Sequence, residues 1–190
     1  GAFSQSITNT LGTSGQFTIK DGYNNYLIVS EPTGQVNILR TLRLENTTTT
    51  GLGIIFKGAD RFLHNFSAPG TNASNTFLGI NSGNFSMTGP GANSSSFNTG
   101  IGENSLYSLT SGNSNTSLGY GSLFFNSSGS ANTGIGCQSL LNNTVGIFNT
   151  ALGYQSLYNN TSGNENTGTG LYSLRSNTTG SQNCAFGNQS

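Results

Sequence analysis

Charge is the scarcest property of this 190-residue chain: only 6% of its residues are charged, six basic and six acidic, and the net charge is zero. That balance removes any electrostatic basis for holding nucleic acid or an acidic membrane surface. There is no tryptophan, one histidine, one methionine, two cysteines and three prolines. Hydrophobic residues reach only 32%, low for a conventional packed globule, and no apolar run approaches the roughly 20 residues of a membrane helix. The opening GAFSQSITNT lacks the basic and long apolar regions of a signal peptide, so the chain is read as already processed or as an excerpt. Low charge also argues against ordinary disorder, which relies on charge repulsion and solvation. What remains is a fold stabilised by backbone hydrogen bonds and regular side-chain ladders.

The few charges are unevenly placed. Nine of the twelve lie in the first 61 residues, and only Glu103, Glu165 and Arg175 follow. This composition shift divides the chain into a first module, 1–74, and a second, 75–190. The first reads as strand and turn. Phe17 and Ile19 alternate, Asp21-Gly22 is a turn signal, and Tyr26 to Ser30 is a second strand. Glu31 to Gly34 turns, Val36 to Leu44 is a third strand, and Ile54 to Lys57 pairs with Arg61 to Phe66. The low-complexity stretch NTTTTGLG, 46–53, reads as a joint.

The second module repeats. Asn98, Asn115, Asn132, Asn149, Asn166 and Asn183 stand 17 residues apart, and the units stack as NTGIGENSLYSLTSGNS, NTSLGYGSLFFNSSGSA and so on. An earlier copy starts at Asn75 and is interrupted after Gly89 by about six extra residues. Column five is always glycine (Gly102, Gly119, Gly136, Gly153, Gly170, Gly187), and column eight is always serine. Column nine is leucine in every full unit: Leu106, Leu123, Leu140, Leu157 and Leu174. Seventeen residues are too few for two helices and a turn, but they suit one coil of an all-β solenoid, or β-roll. The expected coil has a short strand around N-T-x-[IL]-G, a bend, a second strand around S-L-Tyr and a polar turn.

Strand alternation puts Thr and Ile/Leu on one face and Asn, a small residue and Gly on the other. The asparagines are expected to form an amide ladder, and the column-five glycines to supply the positive φ of tight corners. Ile101, Leu118, Ile135 and Leu152 are assigned to the core with the column-nine leucines. Each coil then offers about three large apolar side chains, worth about 1.5–3 kcal/mol apiece when buried. Ordering its residues costs on the order of 1 kcal/mol each, which favours association of several chains. Column three (Gly100, Ser117, Gly134, Ala151, Gly168, Ala185) is uniformly small. Small residues there fit either the close approach of a second backbone or a narrow single-chain solenoid.

The unit N-T-A-L-G-Y-Q-S-L resembles the head-domain repeats of trimeric autotransporter adhesins, over residues 75–190. Those heads carry a related [S/N]-[V/T]-A-I-G core in each coil of a left-handed β-roll, with a shorter repeat, and three rolls pack together. The segments SGQFTIKDGYNNYLIVSEPTGQVNILRTLRLEN and GIIFKGADRFLHNF resemble shaft and tail-fibre-like parts of phage and bacterial surface proteins, as a collar before the solenoid. The resemblance implies a homotrimeric fibre at a cell or virion surface, outside the cell, with a surface receptor or glycan as partner.

No catalytic constellation, cofactor motif or metal-ligand spacing is legible. His64 stands alone in an alternating segment and reads as a strand residue. Cys137 and Cys184 lack metal spacing and read as buried free thiols, the alternative being a link between neighbouring chains. The repeat itself explains every Gly-x-Gly, and Asn-x-Ser/Thr sequons follow from composition. The expectation is a non-enzymatic, extracellular structural and adhesive fibre segment working by multivalent attachment, with no nucleic acid and no membrane insertion. Two alternatives stand beside it: a head-to-tail filament subunit, and an ice-binding solenoid using the column of threonine hydroxyls.

Overall fold

A computed structural model describes the backbone of 16–20, 25–30 and 35–38, and residues 54–57, 59–66, 70–71, 74–89 and 94–190 in full. The chain divides into two compact units, Gly1–Arg43 and Leu44–Ser190. In the first, β1 (Gln16–Lys20), β2 (Asn25–Ser30) and β3 (Gln35–Ile38) form an antiparallel sheet in that order. Phe17 faces Val29 and Leu27 faces Ile38 in register, with an irregularity at Ile19/Lys20. The expected continuation of the third strand from Leu39 to Leu44, and the 46–53 joint, lie outside the described residues.

The second unit holds one nine-stranded sheet and no helix among the described residues. Its strands are β4 (Ile55–Lys57), β5 (Asp60–His64), β6 (Thr76–Leu78), β7 (Thr99–Ile101), β8 (Thr116–Leu118), β9 (Thr133–Ile135), β10 (Thr150–Leu152), β11 (Thr167–Thr169) and β12 (Cys184–Phe186). From β6 to β12 all are parallel and in strict register, Thr on Thr until Cys184. One strand per 17-residue coil builds a β-solenoid. The β4–β5 hairpin lies antiparallel on β6. The boundary read at 74/75 therefore moves: the hairpin assigned to the first module is part of the solenoid sheet, because its strands continue that sheet's ladder.

The expected second strand around S-L-Tyr does not form; the chain turns there. Ser105 and Leu106, consecutive residues, are both fully buried, and so are their equivalents in the next three coils. A strand sends neighbouring side chains to opposite faces, so it cannot bury both. Leu106, Leu123, Leu140, Leu157 and Leu174 instead take left-handed backbone angles, φ 48–54°. That conformation costs a non-glycine residue about 1–2 kcal/mol, which burying the whole leucine side chain offsets.

The alternation along each strand is as expected, but the core lies on its other side. Asn and the small column-three residue point inward, whereas Ile101, Leu118 and Ile135 are exposed and Leu152 is half-buried. The four aliphatic residues are thus not core. The core is the buried leucines of column nine with Leu109, Met87, Phe66, Phe77 and Ala151, and Leu174 packs partly against it. Column three is small because the interior is narrow: a Cβ on Gly134 would lie 2.7 Å from Ser122 Oγ, and one on Gly168 2.7 Å from Ser156 Oγ. A second backbone is not what keeps it small.

Two glycine columns have different causes. Gly102, Gly119, Gly136, Gly153, Gly170 and Gly187 turn corners at φ 118–132°. The glycines closing each coil have no such angle, but the neighbouring coil is too near for a side chain. A Cβ on Gly146 would lie 2.5 Å from the Gly163 carbonyl oxygen.

The hairpin end of the stack holds an aromatic plug. In the first coil Phe77 occupies the small column and Gly83 the leucine column. His64 sits between Phe77 and Phe85, with ring centroids 4.9 and 4.8 Å away. The extra residues of this coil do not all follow Gly89. The Thr88 N–H bonds the Thr110 carbonyl, while the Ser95 carbonyl occupies the ladder place that Gly112 fills one coil on. The insertion is accommodated largely between Thr88 and Ser95, with Ser95 rather than Gly89 restoring the register.

Candidate binding surface of the solenoid

The interior is saturated by side-chain ladders, so any recognition falls to the outside. Asn115 shows the pattern. Its Oδ1 accepts from the backbone N–H and the amide of Asn132 at 3.0 and 3.2 Å. Its Nδ2 donates to Asn98 Oδ1 at 3.0 Å and to the Gly129 carbonyl at 2.9 Å, closing its own coil. Asn98, Asn132, Asn149 and Asn166 repeat the arrangement, and Asn183 bonds Asn166 at 3.0 Å. A second ladder, absent from the sequence reading, runs through Asn126, Asn143, Asn160 and Asn177 at 2.8–2.9 Å and converges on the same glycine carbonyls. Its signal was an asparagine column twelve positions into four successive units. The column-eight serines add a third connection, Ser122 Oγ donating to the Gly134 carbonyl at 2.9 Å and Ser156 Oγ to Gly168 at 2.9 Å.

At the plug, Nδ1 of His64 accepts the Phe66 N–H at 3.3 Å. The ring proton is therefore on Nε2, which donates to the Ser82 carbonyl at 2.7 Å. Burial pushes the His64 pKa down to about 4; the Ser82 contact opposes this and the Arg61 charge adds to it. Burial also lowers the pKa of Arg61, whose guanidinium lies 4.4 Å over the Phe85 ring. Arg61 Nε is the one buried side-chain polar atom without a hydrogen-bond partner among the described residues. His64 and Arg61 are structural parts of the end plug.

Two outer faces stand out. On the sheet, Thr99, Thr116, Thr133, Thr150 and Thr167 form one column, and beside it Leu78, Ile101, Leu118, Ile135 and Leu152 form an aliphatic stripe. Leu118 is 45% exposed and Ile135 37%. Around the corner lies an aromatic face. The Tyr107 and Phe124 rings stack at 5.0 Å, Phe125 meets Phe124 edge-on at 4.6 Å, and Tyr154 meets Tyr172 at 5.4 Å. Arg175 lies 5.1 Å over Tyr172 and 5.5 Å over Tyr158. Both thiols are free, and neither is fully buried: Cys137 is half-buried and Cys184 exposed, because their columns point outward.

Among the described residues, no group of three His, Cys, Asp or Glu could hold a metal ion, and no helix is long and apolar enough to cross a membrane. Comparison with protein-family models, with curated proteins and with solved structures finds no match.

Proposed function

We propose that this chain is a segment of an extracellular structural and adhesive fibre that associates with copies of itself and attaches by many weak contacts. The observation that carries the proposal is the continuous aliphatic stripe beside the threonine column, in register over five coils. A stack whose interior is filled by its own ladders has no internal use for these side chains. Covering each would contribute about 25 cal/mol per Å² of apolar area removed from water. Three copies related by a threefold axis along the solenoid would bring three stripes together, and multivalency would then strengthen weak surface contacts. The extracellular setting rests on the resemblance to adhesin heads. Solution mass and electron microscopy test the reading together: trimeric rods support it, and a monomer at micromolar concentration removes it.

One observation favours a second reading. The threonine column faces outward on the same sheet, one hydroxyl per coil, as an ice-binding surface requires. Its neighbour is aliphatic rather than a second hydroxyl column. Absence of thermal hysteresis eliminates this reading.

A further inference from the structure

Column seven carries one side-chain rung, between Gln155 and Gln138, capped from column ten by Arg175, and it stops at Gly121. Arg175 Nε donates to Gln155 Oε1 at 3.1 Å, and Gln155 Nε2 donates to Gln138 Oε1 at 2.7 Å. This relay fixes the Gln138 amide with its oxygen occupied and its nitrogen, which has no partner among the described residues, able to donate toward the preceding coil. There the ladder would need an acceptor, as each Asn finds one, but the residue is Gly121.

The backbone does not demand that glycine. Asn104, Gln138, Gln155, Tyr172 and Gln189 hold the same column at φ 52–57°, against 60° at Gly121. A Cβ on Gly121 would meet nothing nearer than 3.7 Å. The missing side chain leaves a depression of about 210 Å³ lined by Tyr120, Phe124, Phe125, Gln138, Leu141 and Tyr158 around Gly121. None of these carries a charge. Tyr120 and Phe125 are 51% and 46% exposed, so their rings present apolar area for a ligand to cover.

From the interrupted ladder and its aromatic walls we infer that the Gly121 depression binds one neutral pyranose ring, its C–H face on the rings and an oxygen accepting from Gln138. The chemistry is that of a small site with apolar walls and one oriented donor. Its volume is below the roughly 300–1,000 Å³ of clefts that hold drug-sized ligands, which matches a single sugar unit. The lining offers no charged partner to a phosphate or carboxylate; Arg175, stacked on Tyr158 and donating to Gln155, stands outside it. The inference rests on the adhesive-fibre reading, for which it supplies the ligand class.

The test is NMR titration of the whole chain with methyl β-D-glucopyranoside, methyl β-D-galactopyranoside and methyl N-acetyl-β-D-glucosaminide. At least one should shift the resonances of Tyr120, Gly121 and Gln138. Gly121→Gln completes the ladder and fills the depression, and should weaken binding about tenfold or more. Gln138→Leu keeps the bulk, removes the donor and should weaken it similarly, which guards against misfolding in either variant. Silence with all three sugars, shifts centred elsewhere, or undiminished binding by both variants overturns the inference. Particle images separate the two claims: trimeric rods that bind no sugar sink only this site, and monomers that bind sugar sink only the fibre.

Discussion

Phe77 fills the space that a side chain at Gly83 would need: a Cβ on Gly83 would lie 2.6 Å from Phe77 Cγ. Every later full coil reverses the sizes, with a small residue in the strand and leucine in the turn. The pair therefore works as a unit. Phe77→Ala should cost about 3–5 kcal/mol by leaving a cavity. Gly83→Leu alone should cost about 1–3 kcal/mol by overpacking. Phe77→Gly with Gly83→Leu rebuilds the ordinary coil, so the double variant should be more stable than the sum of the single losses. Denaturant titration of the four proteins measures this, and strict additivity would refute the exchange.

The asparagine ladder predicts a large penalty for one amide. Asn132→Ala removes the acceptor for the Asn149 N–H and Nδ2 and the donor to Asn115 and Gly146, all buried. Stranded buried partners cost about 1–3 kcal/mol each, so a loss of roughly 3 kcal/mol or more is expected. Thr133→Ala, one residue on but facing outward, should change stability by about 0.5 kcal/mol or less. Thermal melts of the two variants give the comparison.

Stability should fall in acid because of His64. An unfolded histidine takes up its proton near pH 6.5, whereas the buried ring resists until about 4. Between those values the unfolded chain binds the extra proton. The contribution is complete above about 6.5 and is lost as pH drops to about 4, by roughly 3 kcal/mol. Denaturant midpoints of native and His64→Phe chains over this range should diverge, and parallel pH profiles would contradict the assignment.

Leucines of the two columns should behave oppositely. Leu140→Ala, in the core, is expected to cost about 2–5 kcal/mol. Leu118→Lys with Ile135→Lys should leave each solenoid folded but abolish self-association, read by analytical ultracentrifugation. Intact oligomers carrying both lysines would move the interface off the aliphatic stripe.

The solenoid was legible because an invariant column marks an identical environment: Asn98 to Asn183 could recur at fixed spacing only if stacked. Alternation around Thr133, Gly134 and Ile135 separated two faces without saying which was inside. The preference for burying isoleucine chose wrongly, since the interior is claimed by Asn and Ser side chains that bond backbone carbonyls. The turn at Ser139-Leu140 was illegible because left-handed leucine is too rare for any propensity to suggest it. Gly121 looked like one glycine among 28. Only the Gln155–Gln138 hydrogen bond, made between neighbouring coils, reveals it as an interruption.

Each asparagine of the main ladder bonds only its own coil and its two neighbours. Duplicating a whole 17-residue unit would therefore present the invariant asparagine, serine, leucine and glycine columns with surroundings they already accept. Length becomes a heritable variable, adjustable by gain or loss of a repeat, in steps of about 4.8 Å. Reach can change across generations while the ladders inside the molecule stay as they are.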